Sequence, residues 1–365
     1  MSAENFLDPA PHRIAVFRAL QLGDMLCVVP ALRALRVAAP DAQITLIGLP
    51  WSVTFAERFN QYIDDVLVFP GFPGLPEENF DVARIPQFFI DAQRREFDIA
   101  IQLHGSGAIS NLIITLLAAK KCAGFYSPGA YYPKAGTFIP WQGNETEHKT
   151  EIGRCLCLME SLGAAPQGDY LEFPLLASDF RALHTIFDSY HLTAQQYVCV
   201  HPGARLPSRR WPAERFAKVA DAVAAKGIPV VLTGSQEEVD IVQNVAKAMK
   251  YPVIDLAGKT KLGVVAALIA KSRLLICNDT GVSHIAAALK TPSVVISCGA
   301  DPARWAPLDK QRHHVIFQQT PCRPCTHVSC PIEHPCALEV SVTTVLIEVK
   351  RLIEQSFAEE LRYAA

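Results

Sequence analysis

The chain has 365 residues, of which 50% are hydrophobic and 19% are charged. This length and composition supply enough apolar material for two packed domains and exclude a disordered or fibrous protein. With 34 Lys and Arg against 36 Asp and Glu, the formal net charge of −2 excludes a global field that would attract nucleic acid. We therefore expect no nucleic-acid partner, and any anion site must be local.

The start of the chain predicts a cytoplasmic protein. A secretory signal needs a basic segment followed by an apolar core, whereas residues 1–13 are polar, acidic and interrupted by prolines. The most apolar stretches, 112–119 and 263–270, fall well short of the roughly 20 residues that span a bilayer. We expect the eleven cysteines to be reduced or to hold a metal, because the chain is long and shows no secretory signal.

Strands alternate with helices in the first half of the chain, which is typical of a parallel sheet. Apolar and β-branched runs predict strands at 12–18, 43–49, 65–69 and 98–103. Helical spacing begins at Gly23-Asp24 and runs to Val37, and it recurs at 109–119 and 147–162. Two stretches without periodicity, 70–86 and 126–143, are predicted to be long loops.

The same alternation restarts after a domain boundary that we expect between residues 163 and 195. A helix is predicted near Asp179, and strands at 197–200, 228–232, 253–256, 273–277 and 293–297. Further helices are predicted at 212–225, 237–249, 262–270, 282–289 and 342–361. The sequence thus predicts a second α/β sheet and a final amphipathic helix.

Open α/β sheets bind ligands beyond the carboxyl ends of their strands, so the loops after strands are candidate sites. Asp24 follows the first strand and is either a helix cap or a general base that takes a proton from a hydroxyl. The loop 201–212 contains Gly203, which allows close approach of backbone N–H groups, and three arginines that could bind phosphate or be solvated: Arg205, Arg209 and Arg210.

Two more loops follow strands of the second half. Glu237 and Glu238 form an acidic pair that either grips ribose hydroxyls or caps a helix. In the segment 277–284, Gly281 begins a helix whose N–H groups could hold an anion, and His284 is either a buried core residue or a donor to a phosphate or sugar.

Taken in order, these segments resemble glycosyltransferase family 9, the ADP-heptose:lipopolysaccharide heptosyltransferases. The matching motifs are GDM from Gly23, HPGA from His201, SRRWP from Ser208, LTGSxEE from Leu232 and NDTGVSH from Asn278. The resemblance covers nearly the whole chain, from Arg13 to about Leu352. It implies the α/β GT-B fold, in which two doubly wound Rossmann-like domains face each other across a cleft.

The resemblance also implies that the two domains bind different substrates. Residues 1–175 would form the acceptor domain and 176–341 the nucleotide-sugar domain, with 342–365 as a helix that packs back across both. Asp24 matches the catalytic carboxylate of the family. The residues that match the donor site are Gly203, Ala204, Ser208, Arg209, Glu238, Asp279, Thr280, Gly281 and His284. Glu237 is a possible substitute for Glu238.

Arg209 stands where these enzymes commonly carry a lysine before the tryptophan, here Trp211. The change keeps the positive charge but replaces a point charge with a planar guanidinium, which leaves the donor sugar open.

The implied reaction moves a heptose from an ADP-sugar to a hydroxyl of a lipopolysaccharide-core or other lipid-linked acceptor. It would take place with inversion, at the cytoplasmic face of the inner membrane, which the protein would contact peripherally. Asp24 would take the proton of the hydroxyl, while Arg209 and the helix start at Thr280-Gly281 would stabilise the departing diphosphate. We expect no metal and no cofactor, because the sequence lacks a DxD pair. Basic residues of the first half either form an acceptor face or are merely solvated: Arg33, Arg36, Arg84, Arg94, Arg95, Lys120 and Lys121.

Four cysteines fall close together near the end of the second half, at Cys322, Cys325, Cys330 and Cys336. They form either a metal site or a compact loop of reduced thiols that lies near the donor. One CxxC pair followed by irregular spacing is weak support for a zinc site. A branch of the family that glycosylates autotransporter proteins carries an iron-bound cysteine element, to which this segment is loosely similar.

Three other interpretations stay open at this point. The same fold could use a different nucleotide sugar, or a protein as the acceptor. It could also belong to a non-catalytic nucleotide-binding relative, which the presence of Asp24 disfavours. A dehydrogenase is weaker still, because residues 20–23 do not form the GxGxxG turn of a dinucleotide-binding domain.

Overall fold

A computed structural model describes residues 6–141 and 150–364, with side chains described to residue 357. The chain divides into two compact units, Met1–Pro174 and Leu175–Ala365. Each unit has its own buried apolar core. Among the described helices, none combines the length and the apolar composition that crossing a bilayer requires.

Within the described residues, the first unit is built on a six-stranded parallel sheet in the order β3-β2-β1-β4-β5-β6. Its strands are β1 (Arg13–Phe17), β2 (Gln43–Gly48), β3 (Asp65–Val68), β4 (Ile99–Gln102), β5 (Lys121–Tyr126) and β6 (Gly136–Pro140). Its helices are α1 (Leu22–Cys27), α2 (Val29–Ala38), α3 (Ser52–Arg58), α4 (Arg84–Gln93), α5 (Ser110–Leu116) and α6 (Glu151–Ser161).

Strand β1 lies at the centre of this sheet and leads directly to Asp24. Its last four residues, Ile14 to Phe17, are all buried, because β2 pairs with one side of the strand and β4 with the other. Such a continuous apolar run is typical of a central parallel strand. The strand order reverses between β1 and β4, and this reversal is where open α/β sheets place their ligands.

Three predictions for the first unit need correction. The single helix expected from Asp24 to Val37 is two helices, α1 and α2, separated at Val28. Pro30 lies in the first turn of α2 and has no N–H to continue α1. The expected loops 70–86 and 126–143 contain the start of α4 and strand β6, both with weak apolar patterns. Residues 147–149 of the helix expected from 147 lie outside the described residues.

The second unit is built on a parallel sheet in the order β12-β11-β10-β7-β8-β9, six strands within the described part of the chain. Its strands are β7 (Val198–His201), β8 (Val230–Leu232), β9 (Ile254–Asp255), β10 (Leu274–Asn278), β11 (Ser293–Ile296) and β12 (His313–Ile316). Its helices are α7 (Ala177–Tyr190), α8 (Ala213–Ala224), α9 (Val239–Ala248), α10 (Leu262–Lys271), α11 (Gly281–Ala288), α12 (Pro302–Trp305), α13 (Pro335–Leu338) and α14 (Val342–Ala364). Short 3-10 turns occur at Pro207–Arg209 and Gln236–Glu238.

The final helix α14 belongs to the core of the second unit. Its apolar stripe is confirmed, since Val345, Val349, Leu352 and Ile353 are all buried there. The helix contacts α8 and strands β10 to β12. The expected packing of this helix across both domains stays a prediction. The edge strand β12 and the short helices α12 and α13 were not predicted.

Candidate active site

The three loops predicted to bind the donor lie at one edge of the second sheet. They follow β7, β8 and β10, which are neighbours in the order β10-β7-β8. Because the strands are parallel, their carboxyl ends share one edge, and the loops after them meet there. The sequence therefore places the matching motifs of the second half at a single site.

Asn278, the last residue of β10, ties two of these loops together. Its side chain is fully buried, and its Nδ2 donates to the carbonyl oxygens of Pro202 at 2.7 Å and Gly203 at 3.5 Å. Its Oδ1 accepts from the N–H of Trp211 at 3.0 Å. The sequence reasoning missed this role, although an amide at the end of an otherwise apolar strand was a signal for it.

Glu238 lies directly against the backbone of Gly203. A Cβ on Gly203 would fall 2.2 Å from the carboxylate carbon of Glu238, so only glycine allows this approach. The Oε2 atom of Glu238 accepts from the N–H of Ser235 at 2.8 Å and lies 3.5 Å from Nε2 of His201. Glu237 is exposed, so Glu238 is the member of the acidic pair that faces the loop after β7.

The surroundings of Glu238 keep it ionised. Burial acts to raise the pKa of its carboxyl, but hydrogen bonding and charge from His201 and the N–H of Ser235 outweigh burial and bring the pKa to about 2. Nδ1 of His201 is in turn 3.0 Å from the hydroxyl of Thr233. An ionised carboxylate is a hydrogen-bond acceptor only, which suits a hydroxyl-bearing ligand. The Glu238 side chain also completes a capping box with Ser235, so Glu238 caps the turn as well as facing Gly203.

Arg209 and Ser208 are held by the cysteine-rich segment, residues 320–336. Arg209 donates from Nη1 to the carbonyl of Cys298 at 3.3 Å and from Nη2 to that of Cys325 at 2.5 Å. The Ser208 N–H donates to the carbonyl of Val328 at 3.0 Å. The Ser208 hydroxyl donates to the carbonyl of His327 at 2.6 Å. The Ser208 carbonyl oxygen lies 3.0 Å from Nε2 of His334. The segment therefore sets the position of the arginine that was expected to neutralise the donor.

The four cysteines of this segment are free thiols, of which two are buried and two are partly exposed. Cys325 and Cys336 are buried, and burial is the main cause that raises the pKa of Cys336. Among the described residues, no group of three or more His, Cys, Asp or Glu side chains is placed to hold a metal ion. The thiols of Cys322, Cys325 and Cys330 lie close enough to Cys336 to influence its charge. The choice between a metal site and a compact loop of thiols therefore stays a prediction.

The loop after β10 supplies a carboxylate and a helix start. Asp279 accepts from the hydroxyl of Ser297 at 2.9 Å, which fixes its side chain. Thr280 precedes the first turn of α11 and, within the described residues, accepts no capping hydrogen bond on its side chain. His284 is buried one turn later, and burial lowers its pKa while the charge of Asp279 opposes that shift. Burial therefore disfavours the charged form of His284. That the backbone N–H groups at Gly281 bind an anion stays a prediction.

In the first unit, Asp24 is half-buried in α1 at the carboxyl end of the sheet. Arg18 is buried behind it and donates to the Asp24 carbonyl oxygen. His104 stacks on Phe17 with ring centroids 5.0 Å apart, and burial followed by the charge of Arg18 lowers its pKa to about 3. The sequence analysis did not identify Arg18, which directly follows β1, or His104, which lies two residues after the end of β4.

The basic residues of the first unit do not form an unpaired cationic face. Within the described residues, five of them form ion pairs: Arg33 with Glu172, Arg36 with Asp64, Arg94 with Asp91, Arg95 with Asp65 and Lys120 with Asp98. Lys121 donates to two backbone carbonyls, and Arg84 is exposed. The pairing cancels most of the positive charge, so it disfavours the acceptor-face interpretation.

Comparison with known proteins identifies the class. The model of glycosyltransferase family 9 (heptosyltransferase) matches residues 89–335. The chain is 26% identical over 292 residues to lipopolysaccharide heptosyltransferase 3 of Escherichia coli (strain K12), which covers 78% of this chain and 82% of that one. It therefore belongs to glycosyltransferase family 9 and is a glycosyltransferase, as its motifs predicted.

Solved structures confirm the fold. A glycosyltransferase family 9 protein from Veillonella parvula superposes with a TM-score of 0.77 at 22% identity, covering 94% of this chain and 98% of that chain. ADP-heptose LPS heptosyltransferase II of E. coli superposes with a TM-score of 0.72 at 20% identity, covering 94% and 99%. The two doubly wound sheets described above are those of the GT-B fold, which confirms the predicted fold class.

Proposed function

We propose that this protein transfers a heptose from ADP-heptose to a hydroxyl of a lipopolysaccharide-core acceptor. The observation that carries the proposal is the meeting of three donor loops at the carboxyl edge of the second sheet, where Glu238 lies against Gly203 and Asn278 links the strands. Family membership and the activities for which the relatives are named support this choice of donor and acceptor.

On the donor side, each group has a chemical task. The ionised Glu238 accepts hydrogen bonds from ribose hydroxyls. Arg209 uses two of its five N–H donors on carbonyl oxygens and directs the others, with its positive charge, to the diphosphate. The first turn of α11, at Gly281, adds backbone N–H groups and the positive end of the helix dipole. These groups stabilise the negative charge that grows on the leaving ADP.

On the acceptor side, Asp24 takes the proton of the attacking hydroxyl as the new bond to the anomeric carbon forms. The bond to the diphosphate oxygen breaks on the opposite face, so the configuration at that carbon inverts. The electron pair of that bond leaves with ADP, whose negative charge Arg209 and the start of α11 stabilise. The proposed mechanism uses neither a metal nor a cofactor. The acceptor is lipid-linked, so the proposal includes peripheral contact with the cytoplasmic face of the inner membrane.

Calorimetry and turnover together test this function. We expect ADP-heptose to bind the wild type, Arg209→Ala to weaken that binding, and Asp24→Asn to bind normally without transferring the sugar to extracted lipid A core. Lys218→Ala removes one exposed positive charge from α8 of the same unit and should change neither property. If another nucleotide sugar binds and ADP-heptose does not, the donor assignment is wrong. Full turnover by Asp24→Asn would remove Asp24 as the base.

A further inference from the structure

A fourth loop lies at the same edge of the second sheet as the three donor loops. It follows β11, which pairs with β10, and it comprises residues 297–300, here called the β11 loop. The hydroxyl of Ser297 donates to Asp279 at 2.9 Å, and the carbonyl of Cys298 accepts from Arg209 at 3.3 Å. The β11 loop therefore contacts two of the residues that the family motifs match to the donor.

The carbonyl groups of the β11 loop all accept hydrogen bonds. Their donors are Arg323 for Ser297 and Ala300, Arg209 for Cys298, and the N–H of Cys325 for Gly299. Arg323 donates to Ser297 at 3.0 Å and also to the carbonyl of Gln318 at 3.0 Å. One guanidinium thus holds both ends of the loop, and the cysteine-rich segment supplies it.

The N–H groups of the same loop are in the opposite situation. Within the described residues, the N–H groups of Cys298, Gly299 and Ala300 donate to no protein acceptor. Cys298 and Gly299 are buried, and a buried N–H group needs an acceptor. Gly299 has a φ of +73°, and successive N–H groups around a left-handed residue form a concavity that binds anions.

The charges around the β11 loop also favour an anion. Arg209 and Asp279 lie close enough to Arg323 to act on its charge, so two guanidinium groups face one carboxylate there. Asp301, just after the loop, turns its Oδ1 to the N–H of Ala303 at 3.0 Å. In the described part of the chain, Nε of Arg323 is buried without a partner. Donors and positive charge thus exceed acceptors, which suits a phosphoryl group.

The order of the strands indicates which phosphoryl group this is. Glu238, the expected partner of the ribose, follows β8, and the sheet continues through β7 and β10 to β11. The β11 loop is therefore further from Glu238 than the start of α11 is, counted in strands. A diphosphate extends away from its ribose, so the last of these loops meets the phosphoryl group that is distal to the ribose.

We propose that the β11 loop, held by Arg209 and Arg323, binds the distal phosphoryl group of the donor diphosphate, and that Arg323 is the second cation of this subsite. The inference rests on the proposed function, because it takes an ADP-sugar as the donor. Arg323 acts through its charge and by fixing the carbonyl groups, which leaves the N–H groups of the loop directed to the ligand.

Calorimetric titration with ADP and with AMP tests the subsite, because AMP lacks the distal phosphoryl group. In Arg323→Met we expect ADP affinity to fall at least about tenfold and AMP affinity to stay within about twofold. Arg215→Met is the matched control, since Arg215 also donates to backbone carbonyls of the second unit, at Ala337, Leu338 and Val340. It should leave the ratio of ADP affinity to AMP affinity unchanged.

A glycine pair tests the backbone N–H groups separately from the charge. A Cβ at Gly299 would lie 3.0 Å from Cβ of Cys325 and 3.3 Å from Nη1 of Arg209, so Gly299→Ala displaces the loop. We expect it to weaken ADP more than AMP. Gly227 has a similar φ of +75°, and a Cβ there would meet no atom within 4 Å. Gly227→Ala thus carries the same backbone strain and should not change the ratio.

The outcomes separate this proposal from the proposed function. Equal loss of ADP and AMP affinity in Arg323→Met and Gly299→Ala, or no loss of either, would overturn the β11 loop as the phosphoryl subsite. If Arg323→Met does not fold, Arg323→Lys replaces it, because it keeps the charge and loses the grip on three carbonyls. If the wild type binds no ADP, the proposed donor is wrong, which is a different failure from an unchanged ratio.

Discussion

At the scale of single residues, the two neighbouring glutamates at 237 and 238 have different surroundings. Glu238 is 14% exposed and packs on Gly203, whereas Glu237 is exposed. Replacing Glu238 by Gln removes the charge that ribose hydroxyls would bind, and we expect ADP affinity to fall about tenfold. Glu237→Gln is the matched control and should bind ADP as the wild type does. Calorimetric titration of both variants with ADP shows which glutamate contributes to binding. Equal weakening of ADP binding in the two variants would contradict the assignment of Glu238.

The same carboxylate makes stability depend on pH. The pKa of Glu238 is about 2 in the folded chain, against an ordinary value of 4.5, because hydrogen bonds and charge from His201 and the Ser235 N–H outweigh burial. A group whose pKa is lowered by folding stabilises the protein above its ordinary pKa, and this contribution disappears as the pH falls toward the folded value.

Between pH 4.5 and 2, the wild type should therefore lose up to about 3 kcal/mol more free energy of unfolding than Glu238→Gln does. Urea unfolding of both proteins at several pH values measures this difference. Parallel pH profiles would show that Glu238 does not carry the effect.

At the scale of elements, the donor loop depends on a segment about 120 residues further along the chain. Ser208 makes three hydrogen bonds to residues 327, 328 and 334, and Arg209 makes one to Cys325. Ser208→Ala removes the buried hydroxyl bond of 2.6 Å, which stabilises the loop by about 1 kcal/mol, so ADP should bind roughly fivefold more weakly. Ser189→Ala removes a similar hydroxyl bond of 2.7 Å on the exposed side of α7 and should leave ADP binding unchanged. Calorimetry compares the two, and no loss in Ser208→Ala would show that the segment does not position the loop.

At the scale of the whole molecule, each unit has its own sheet and core, and the predicted donor residues all belong to the second. We therefore expect residues 175–365, expressed alone, to fold cooperatively and to bind ADP within about tenfold of the full-length affinity. Thermal unfolding and calorimetry on this fragment test the expectation. An unfolded fragment would show that the core of the second unit is insufficient without the first.

The strands at the centre of each sheet were predicted, as were the edge strands β3 and β9, whereas β5, β6 and β12 were not. Central strands such as β1 and β10 are buried on both faces, and their continuous apolar runs are visible in the sequence. The edge strands β6 and β12 are partly exposed and contain Gly, Pro or His, so their pattern is weak. The loops of the candidate site were found because they follow central strands. Arg18 and Asn278 were missed because most of their partners, such as Glu151 for Arg18 and Pro202 for Asn278, are distant along the chain, and only the folded structure brings them together.

The two hydrogen bonds of Arg209 limit which substitutions this position can accept during evolution. Its two terminal nitrogens each hold a different carbonyl, one at Cys298 and one at Cys325, and a lysine has a single nitrogen for the same task. A descendant with lysine at this position would therefore gain little unless residues 320–336 changed as well. The arginine and the cysteine-rich segment are expected to be inherited together and lost together, as one evolutionary unit.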